Sequence, residues 1–350
     1  MDVKSKITLF RFDLIRILAM VFVIGTHFNE TFGSMGIRAS CLHVYMGKGL
    51  LYSQMGVVLF ILMSGSLSAA SLERSLSDNG VLERKSVLRY YKKRLLSVLP
   101  LYYMAYVMAY VIKVAPKGVA VHKAMIWTLF GLDGYLTRFN VPTVYLVGEW
   151  FIGMILICYL LCPLLYHFIR KYPRITFCVL VIYYVLIVTC YPLAGDMETD
   201  VLIRIFDFAV GMYFGVYIKK ISGMAAAVCA ALTVLLCFWE PDIEYMYLII
   251  IRGVSFYCVL WFLGDWIETF SAELVVKARK ICSKWAQYSF AVYMIHKIVI
   301  DQVLSPFAGY GVDGRGYIRL MVYAGVLMIA LGIVLYSAEK HMIQKITACL

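Results

Sequence analysis

The sequence predicts an all-α, polytopic membrane helix bundle, and three observations lead to that fold class. Hydrophobic residues make up 63% of the 350 residues, and charged residues make up only 15%. Apolar runs of about twenty residues recur along the chain, which is the length a helix needs to cross the hydrocarbon core of a bilayer. The Lys and Arg residues lie mainly between these runs. A soluble core, a disordered chain and a small disulfide framework are excluded, because none of them carries so much continuous apolar sequence.

The apolar runs predict about ten transmembrane helices. They lie near residues 9–28, 50–70, 95–114, 143–167, 175–193, 201–218, 223–239, 245–263, 285–304 and 317–338. The first run is predicted to be a retained helix, because no small-residue cleavage site follows Phe28. No connection is long enough to hold a core of its own, so residues 1–350 are predicted to form a single integral-membrane domain.

The positions of the basic residues predict the orientation of the chain. The net charge is +12, and a cytoplasmic N-terminus places about three times as many Lys and Arg in the inner connections as in the outer ones. Both termini are therefore predicted to be cytoplasmic, with membrane lipids as partners and no nucleic acid. The ten cysteines lie mostly inside apolar runs and form no C-x-x-C pair, so no metal site is predicted.

Two connections between the spans are long enough to contain secondary structure. The inner connection, residues 71–94, is charged and is predicted to be helical. The outer connection, residues 115–142, contains the apolar stretch from Met125 to Leu132, which predicts a helix lying in the membrane interface.

The first span carries three ionisable residues on one face, which is the strongest functional signal in the sequence. Arg16 and His27 are eleven positions apart, which returns to within about 20° of the same helix face and separates them by about 16 Å along the axis. Asp13 lies three residues before Arg16 and could pair with it. Ionisable groups in a bilayer are costly and usually line a functional cavity.

This layout suits a group transfer across the membrane. A guanidinium can hold an anionic donor on the inner side, and an imidazole can take a proton from a hydroxyl on the outer side. The alternative is structural: Arg16 extends to the interface and His27 hydrogen bonds to a neighbouring helix. The three residues alone do not decide between these interpretations.

Six strings, in order along the chain, resemble the integral-membrane acyltransferase-3 family. The first is the pair of Arg16 and His27. The others are GVVLFILMSGSL at residues 56–67, YKKRLLSVLPLYY at 91–103, WFIGMILICYLLCP at 150–163, FDFAVGMYFG at 206–215 and SFAVYMIH at 289–296. The resemblance covers nearly the whole chain, from about residue 7 to residue 338.

The chain departs from the family pattern at two places. In the family, the basic segment before the third span often carries a second Arg three residues after the first. Here the residue three positions after Arg94 is Ser97. Many members carry an acidic residue five positions after the fourth-span Trp, whereas this chain has Ile155 and places Glu149 just before Trp150. The second departure points to a branch whose acceptors the sequence does not indicate.

The resemblance implies an integral membrane enzyme of the bacterial inner membrane. It would move an acetyl group from cytoplasmic acetyl-CoA to a hydroxyl of an extracytoplasmic or lipid-linked carbohydrate, such as a cell-envelope polysaccharide. By this resemblance Arg16 would contact the donor, and His27 would act as general base or as a transient acyl carrier, a choice that stays open.

The residues around this pair extend the predicted site. Arg94 and Lys93 could attract the CoA phosphates, although positive-inside anchoring explains them equally well. Glu149 could orient the His27 imidazole in a catalytic role, or be an interfacial acid beside a belt Trp. The predicted cavity is lined by polar and aromatic side chains, namely Asp13, Ser64, Trp150, Tyr293 and His296.

Other buried charges support a rival prediction, a transporter or flippase of glycan or lipid intermediates. In that case Arg16, Arg204 and Arg252 would line a substrate pathway. Arg204 and Asp207 are three residues apart and could satisfy each other, whereas Arg252 should face protein or water. The G-x-x-x-G pair at residues 211 and 215 indicates close helix packing.

Overall fold

The computed structural model describes residues 10–39, 52–77, 80–114, 125–136, 147–190, 197–239 and 241–349. Within these ranges the chain forms thirteen α-helices, two 3-10 turns (Met197–Thr199 and Ser305–Phe307) and two two-residue strands. The helices are α1 Phe10–Ser34, α2 Tyr52–Glu73, α3 Arg84–Lys113, α4 Met125–Leu129, α5 Asp133–Leu136, α6 Glu149–Lys171, α7 Pro173–Cys190, α8 Val201–Tyr217, α9 Gly223–Phe238, α10 Tyr245–Glu268, α11 Glu273–Ala286, α12 Ser289–Leu304 and α13 Gly314–Cys349. The strands, β1 (Arg38–Ala39) and β2 (Gly311–Val312), pair in parallel, with Arg38 opposite Gly311.

The prediction of an all-α membrane bundle is confirmed. Each of the ten predicted spans corresponds to a helix, and seven of these helices are long and apolar enough to cross a membrane: α1, α2, α3, α6, α7, α10 and α13. The other three, α8, α9 and α12, have 17, 16 and 16 residues. Most of α12 is buried among its neighbours, so its environment is protein more than lipid.

The inner connection differs from its prediction as a helix over residues 71–94. The second helix ends at Glu73, a turn follows, and α3 begins at Arg84, eleven residues before the predicted span at 95. The basic residues therefore belong to the same continuous helix as the apolar span that follows them. Arg, Lys and Leu are good helix formers, so a charged stretch of this composition extends the helix beyond the apolar window.

The prediction of a helix in this outer connection is confirmed by α4, while its position in the membrane interface stays a prediction. The apolar stretch at Met125–Leu132 is not one continuous helix. It forms the five-residue helix α4 and a turn, and α5 follows. The Tyr102 hydroxyl donates a hydrogen bond to the Thr128 carbonyl at 2.7 Å, and the Thr128 side chain is buried. Gly131 also packs directly against Gly153 of α6. Hydrogen bonds and backbone packing therefore fix this stretch on α3 and α6. The neighbouring residues 115–124 and 137–146 lie outside the described ranges.

Close packing of α2 against α8 confirms the prediction from the G-x-x-x-G pair. A Cβ added to Gly211 would lie 2.2 Å from the Leu62 carbonyl oxygen, and one added to Gly65 would lie 2.1 Å from the Phe208 carbonyl oxygen. The Ser66 hydroxyl also donates to the Gly211 carbonyl at 2.7 Å. Backbones can approach this closely only where glycine replaces larger residues.

The buried arginines of α8 and α10 are held by protein. Arg204 forms an ion pair with Asp207 at 2.9 Å, and both side chains are fully buried. Arg204 also donates to the Glu198 carbonyl and to the Gln54 side chain, both at 2.7 Å. Arg252 is buried and donates to the Leu236 carbonyl of α9. The predicted Arg204–Asp207 pair and the protein environment of Arg252 are both confirmed.

Helix α1 packs against α2, α10, α11 and α12. Its first turn is anchored by Arg11, which contacts Asp265 of α10 at 2.7 Å and lies over the Trp261 ring at 4.0 Å. Because α1 is surrounded on several sides, the ionisable residues on its face are brought against other helices of the bundle.

Candidate functional site

The predicted site residues are distributed in two layers. On α1, Arg16 and His27 are about 16 Å apart along the axis, and on α6, Tyr159 and Glu149 are about 15 Å apart. We call the two layers the inner tier and the outer tier. The inner tier consists of Asp13, Arg16, Arg94 and Tyr159. The outer tier consists of His27, Glu30, Glu149, His296 and Lys297.

In the outer tier, His27 is oriented by a carboxylate of its own helix. The Nδ1 atom of His27 lies 2.9 Å from the Glu30 carboxylate. An ionised carboxylate can only accept, so in the neutral imidazole Nδ1 carries the proton and Nε2 presents its lone pair. The His27 side chain remains 23% exposed. This is the arrangement in which an imidazole acts as a general base.

A second histidine lies directly beside the first. The ring of His296 on α12 is stacked on the ring of His27, with the centroids 5.1 Å apart. Nδ1 of His296 contacts the Tyr293 carbonyl, which can only accept, so this nitrogen is also the protonated one. Nε2 of His296 is buried and has no hydrogen-bond partner among the described residues. His296 therefore lies in the site and presents an unused acceptor there.

Glu149 lies in the outer tier, but Glu30 is the carboxylate that contacts His27. The Glu149 side chain is fully buried, and its two carboxylate oxygens accept the backbone N–H of Val147 at 3.0 and 3.1 Å. It also interacts electrostatically with Lys297, which interacts with Glu30 in turn. The orienting contact that the sequence analysis considered for Glu149 is thus made by Glu30, while a catalytic role for Glu149 stays a prediction.

An aromatic cluster lies on the inward side of the outer tier. The ring centroids of Phe60, Phe151 and Tyr293 are 5.4 to 6.2 Å apart. Ser64 is half-buried one helical turn from Phe60, and Trp150 is half-buried beside Phe151, with the two ring centroids 5.9 Å apart. The cluster thus connects α2, α6 and α12, the helices that carry Ser64, Trp150 and Tyr293.

In the inner tier, Tyr159 is contacted by one arginine and interacts electrostatically with another from a different helix. Arg94 of α3 lies over the Tyr159 ring at 5.1 Å, and Arg16 of α1 interacts electrostatically with the same tyrosine. Arg16 contacts Asp13 at 3.6 Å, which confirms the predicted pairing, and its side chain remains 25% exposed. Among the described residues, Asp13 is the only ion-pair partner of Arg16. Most of the five donors of this guanidinium therefore remain available for a ligand.

Lys93 points away from Arg94. It is exposed and lines a cavity of about 630 Å³ between α3, α12 and α13, together with Arg89 and Lys92. Arg94 instead lies over the rings of Tyr90 and Tyr159, at 5.5 and 5.1 Å. The two residues that the sequence analysis grouped are thus on different surfaces of α3.

Comparison with known families identifies the chain. The model of the acyltransferase-3 family, described as an acyltransferase domain, matches residues 9–337. The chain belongs to the acyltransferase-3 family. No curated protein and no solved structure matches the chain. Because the family match spans nearly the whole chain and the helices can cross a membrane, this acyltransferase-3 protein is an integral membrane acyltransferase.

Two residues of the outer tier in this acyltransferase-3 protein, Glu30 and Lys297, were not predicted from the sequence. Glu30 follows His27 by three positions, the spacing at which helical side chains meet, so the string HFNE contained the signal. Lys297 follows His296 inside an apolar helix. It could have been found by the general rule that ionisable residues in a membrane span indicate function.

Proposed function

We propose that this acyltransferase moves an acetyl group from cytoplasmic acetyl-CoA to a hydroxyl of an extracytoplasmic or lipid-linked carbohydrate, within the bacterial inner membrane. The observation that carries the proposal is the pair of tiers on α1. An open guanidinium at Arg16 suits an anionic donor, and the oriented imidazole of His27, about 16 Å further along, suits a hydroxyl acceptor.

The chemical step follows from the hydrogen bond between His27 and Glu30. The acceptor hydroxyl gives its proton to Nε2 of His27 while its oxygen attacks the thioester carbonyl. The carbon–sulfur bond then breaks, and His27 returns the proton to the departing thiolate. Glu30 stabilises the imidazolium that forms in between. The outcome is an acetyl ester and free CoA.

Two other features support a donor site at the inner tier and an acceptor site at the outer tier. The aromatic cluster of Phe60, Phe151 and Tyr293 lies beside the outer tier and would limit the access of water to the thioester from the inward side. The basic residues concentrate at the end of the molecule where α1 begins, which agrees with a donor that arrives from the cytoplasm.

The donor can be tested by calorimetry with acetyl-CoA on the purified protein in nanodiscs. The wild type should bind saturably, and Arg16→Ala should weaken binding about tenfold or more, because hydrogen bonds to charged groups contribute roughly 1.5–3 kcal/mol each. Arg319→Ala removes an exposed arginine from α13 and should bind like the wild type. A folded wild type that does not bind acetyl-CoA would exclude this donor.

The acceptor and the role of His27 can be tested in cells that lack the protein. Complementation with the wild type should restore alkali-labile acetyl esters on cell-envelope carbohydrate, measured by mass spectrometry. His27→Ala should fail, because loss of a general base lowers the rate by about 10²–10⁴-fold. His341→Ala, at an exposed position of α13, is the matched control. Normal acetylation by His27→Ala would remove this residue from catalysis.

Direct transfer can be distinguished from a covalent acetyl-histidine by omitting the acceptor. Direct transfer predicts that radiolabelled acetyl-CoA leaves no label on denatured protein. A label that requires His27 would instead assign the acyl-carrier role to that residue.

The rival prediction of a transporter used Arg204 and Arg252 as charges that line a substrate pathway. Both side chains are buried and hydrogen bonded to protein, which disfavours that role.

A further inference from the structure

A second cation-lined cavity lies at the end of the molecule where α1 begins. It has a volume of about 380 Å³ and lies between the start of α1, the end of α10 and one face of α11. Three cations line it, namely Arg279, Lys280 and Lys284, together with the polar residues Ser283 and Gln287. The volume lies within the range of small-molecule sites, about 300–1,000 Å³.

The charge in this cavity is strongly one-sided. Among the described residues that line it, Glu268 is the only acidic one, and it accepts the backbone N–H of Phe10 at the start of α1. Arg279 is held in place by the carbonyls of Glu268 and Phe270, at 3.3 and 3.2 Å. Lys280 and Lys284 are exposed and form no ion pair with any described residue. A cavity with this balance attracts a polyanion.

The cavity also leads towards the inner tier. Ser283, which lines it, lies beside the Asp13 carboxylate, and Asp13 contacts Arg16. Phe10 lines the cavity and Arg16 follows six residues later, about 9 Å further along α1. Gln287 at the end of α11 lines both this cavity and the larger one that contains Lys93.

We propose that this cavity binds the 3′-phosphoadenosine end of a nucleotide-linked acyl donor, with its diphosphate directed towards Arg16. The inference rests on the proposed function and deepens it, because it assigns the nucleotide to residues of α11 that the sequence analysis did not place in the site. Arg279, Lys280 and Lys284 hold the 3′-phosphate, and Ser283 marks the passage to Asp13 and Arg16.

The test is calorimetry on the full chain in phosphatidylcholine nanodiscs, with acetyl-CoA and 3′-dephospho-acetyl-CoA. The variant Lys280→Gln/Lys284→Gln should bind acetyl-CoA about tenfold or more weakly, since each charge-assisted hydrogen bond contributes strongly. Its affinity for the dephosphorylated donor should stay within about twofold of the wild type, because the lost contacts are to the 3′-phosphate. Elution of the variant as a single monodisperse peak shows that it is folded.

Lys277→Gln is the matched control on the same helix. Lys277 pairs with Glu273 at 2.7 Å and does not line the cavity. It should leave both affinities unchanged. Unchanged binding of acetyl-CoA by the double variant would overturn the inference. An equal loss of affinity for both donors, or an equal loss in Lys277→Gln, would also overturn it, because either result would indicate a general effect of positive surface charge.

Two further arms separate the remaining outcomes. Repeating the titrations with phosphatidylglycerol in the nanodiscs tests whether the same cations hold lipid phosphates; a defect seen only there would overturn the inference. Adenosine 3′,5′-bisphosphate separates the cavity from the proposed donor. Binding of this nucleotide that depends on Lys280 and Lys284, in a wild type that does not bind acetyl-CoA, would retain the nucleotide site and reject the proposed function. Absence of binding to both would reject both.

Discussion

Two Arg–Asp pairs at the same sequence spacing have opposite environments in this protein. Arg204 and Asp207 on α8 contact at 2.9 Å with no exposure of either side chain. Arg16 and Asp13 on α1 contact at 3.6 Å, and the arginine side chain is 25% exposed. Arg204 also donates to Glu198 and Gln54, whereas Asp13 is the only ion-pair partner of Arg16 among the described residues.

The difference separates a pair closed to ligands from a pair that is accessible to one. A fully buried guanidinium whose three nitrogens all donate to protein stabilises the helices around it and is closed to a ligand. One whose donors are mostly unused can bind an anion without breaking a protein contact. The pair on α8 therefore fixes α2 against the turn before α8, and the pair on α1 suits the proposed donor site.

The largest expected effect is on stability, and it should occur at α8 alone. Arg204→Met leaves the Asp207 carboxylate buried without its cation, which should cost about 3–5 kcal/mol. Arg16→Met should cost less than about 1 kcal/mol, because its single ion pair is long and partly exposed. Thermal unfolding in detergent compares the two variants. Equal destabilisation would break the distinction between the pairs.

The next effect is on donor binding, and it should occur at α1 alone. Arg16→Lys keeps the charge but loses the planar fork, so acetyl-CoA affinity should fall about tenfold, or by roughly 1.5 kcal/mol. Calorimetry measures this fall, and unfolding of the same variant should match the wild type. Wild-type affinity in Arg16→Lys would indicate that Arg16 acts only as a point charge.

A smaller effect should come from the packing that holds the α8 pair. Gly211→Ala places a methyl group against the Leu62 carbonyl and should cost about 1–3 kcal/mol as α2 and α8 separate. Gly25→Ala on α1 meets nothing within 4 Å and should be neutral or stabilising by up to about 1 kcal/mol. Unfolding temperatures of the two variants give the comparison. A stable Gly211→Ala protein would show that α2 and α8 need not pack this closely.

The smallest effect should sharpen the functional interpretation of α1. Asp13→Asn removes a negative charge next to Arg16, so acetyl-CoA affinity should rise by a few fold, within about 1 kcal/mol. Stability should change by a similarly small amount. A lower affinity would mean that Asp13 holds Arg16 in its binding orientation, and calorimetry with unfolding on the same samples distinguishes the two outcomes.

The sequence by itself determined the class of the fold and the main axis of the candidate site. The length of the apolar runs predicted the helices, because a membrane span must be long enough to cross the hydrocarbon core and must form all its backbone hydrogen bonds internally. The helical repeat placed Arg16 and His27 on one face of one helix, since that relation is local to α1. Both features depend on distances along the chain, which the sequence specifies directly.

Tertiary structure decided which neighbours these residues have. The ring of His296, the electrostatic partners of Lys297 and the approach of Arg94 to Tyr159 all join residues far apart in sequence. Helix packing also places Lys93 and Arg94 on different surfaces of α3. It buries the Arg204–Asp207 pair of α8 completely and leaves Arg16 of α1 partly exposed. The spacing of an Arg and an Asp determines whether they can meet; only the packing of the surrounding helices determines whether the arginine still has donors free for a ligand.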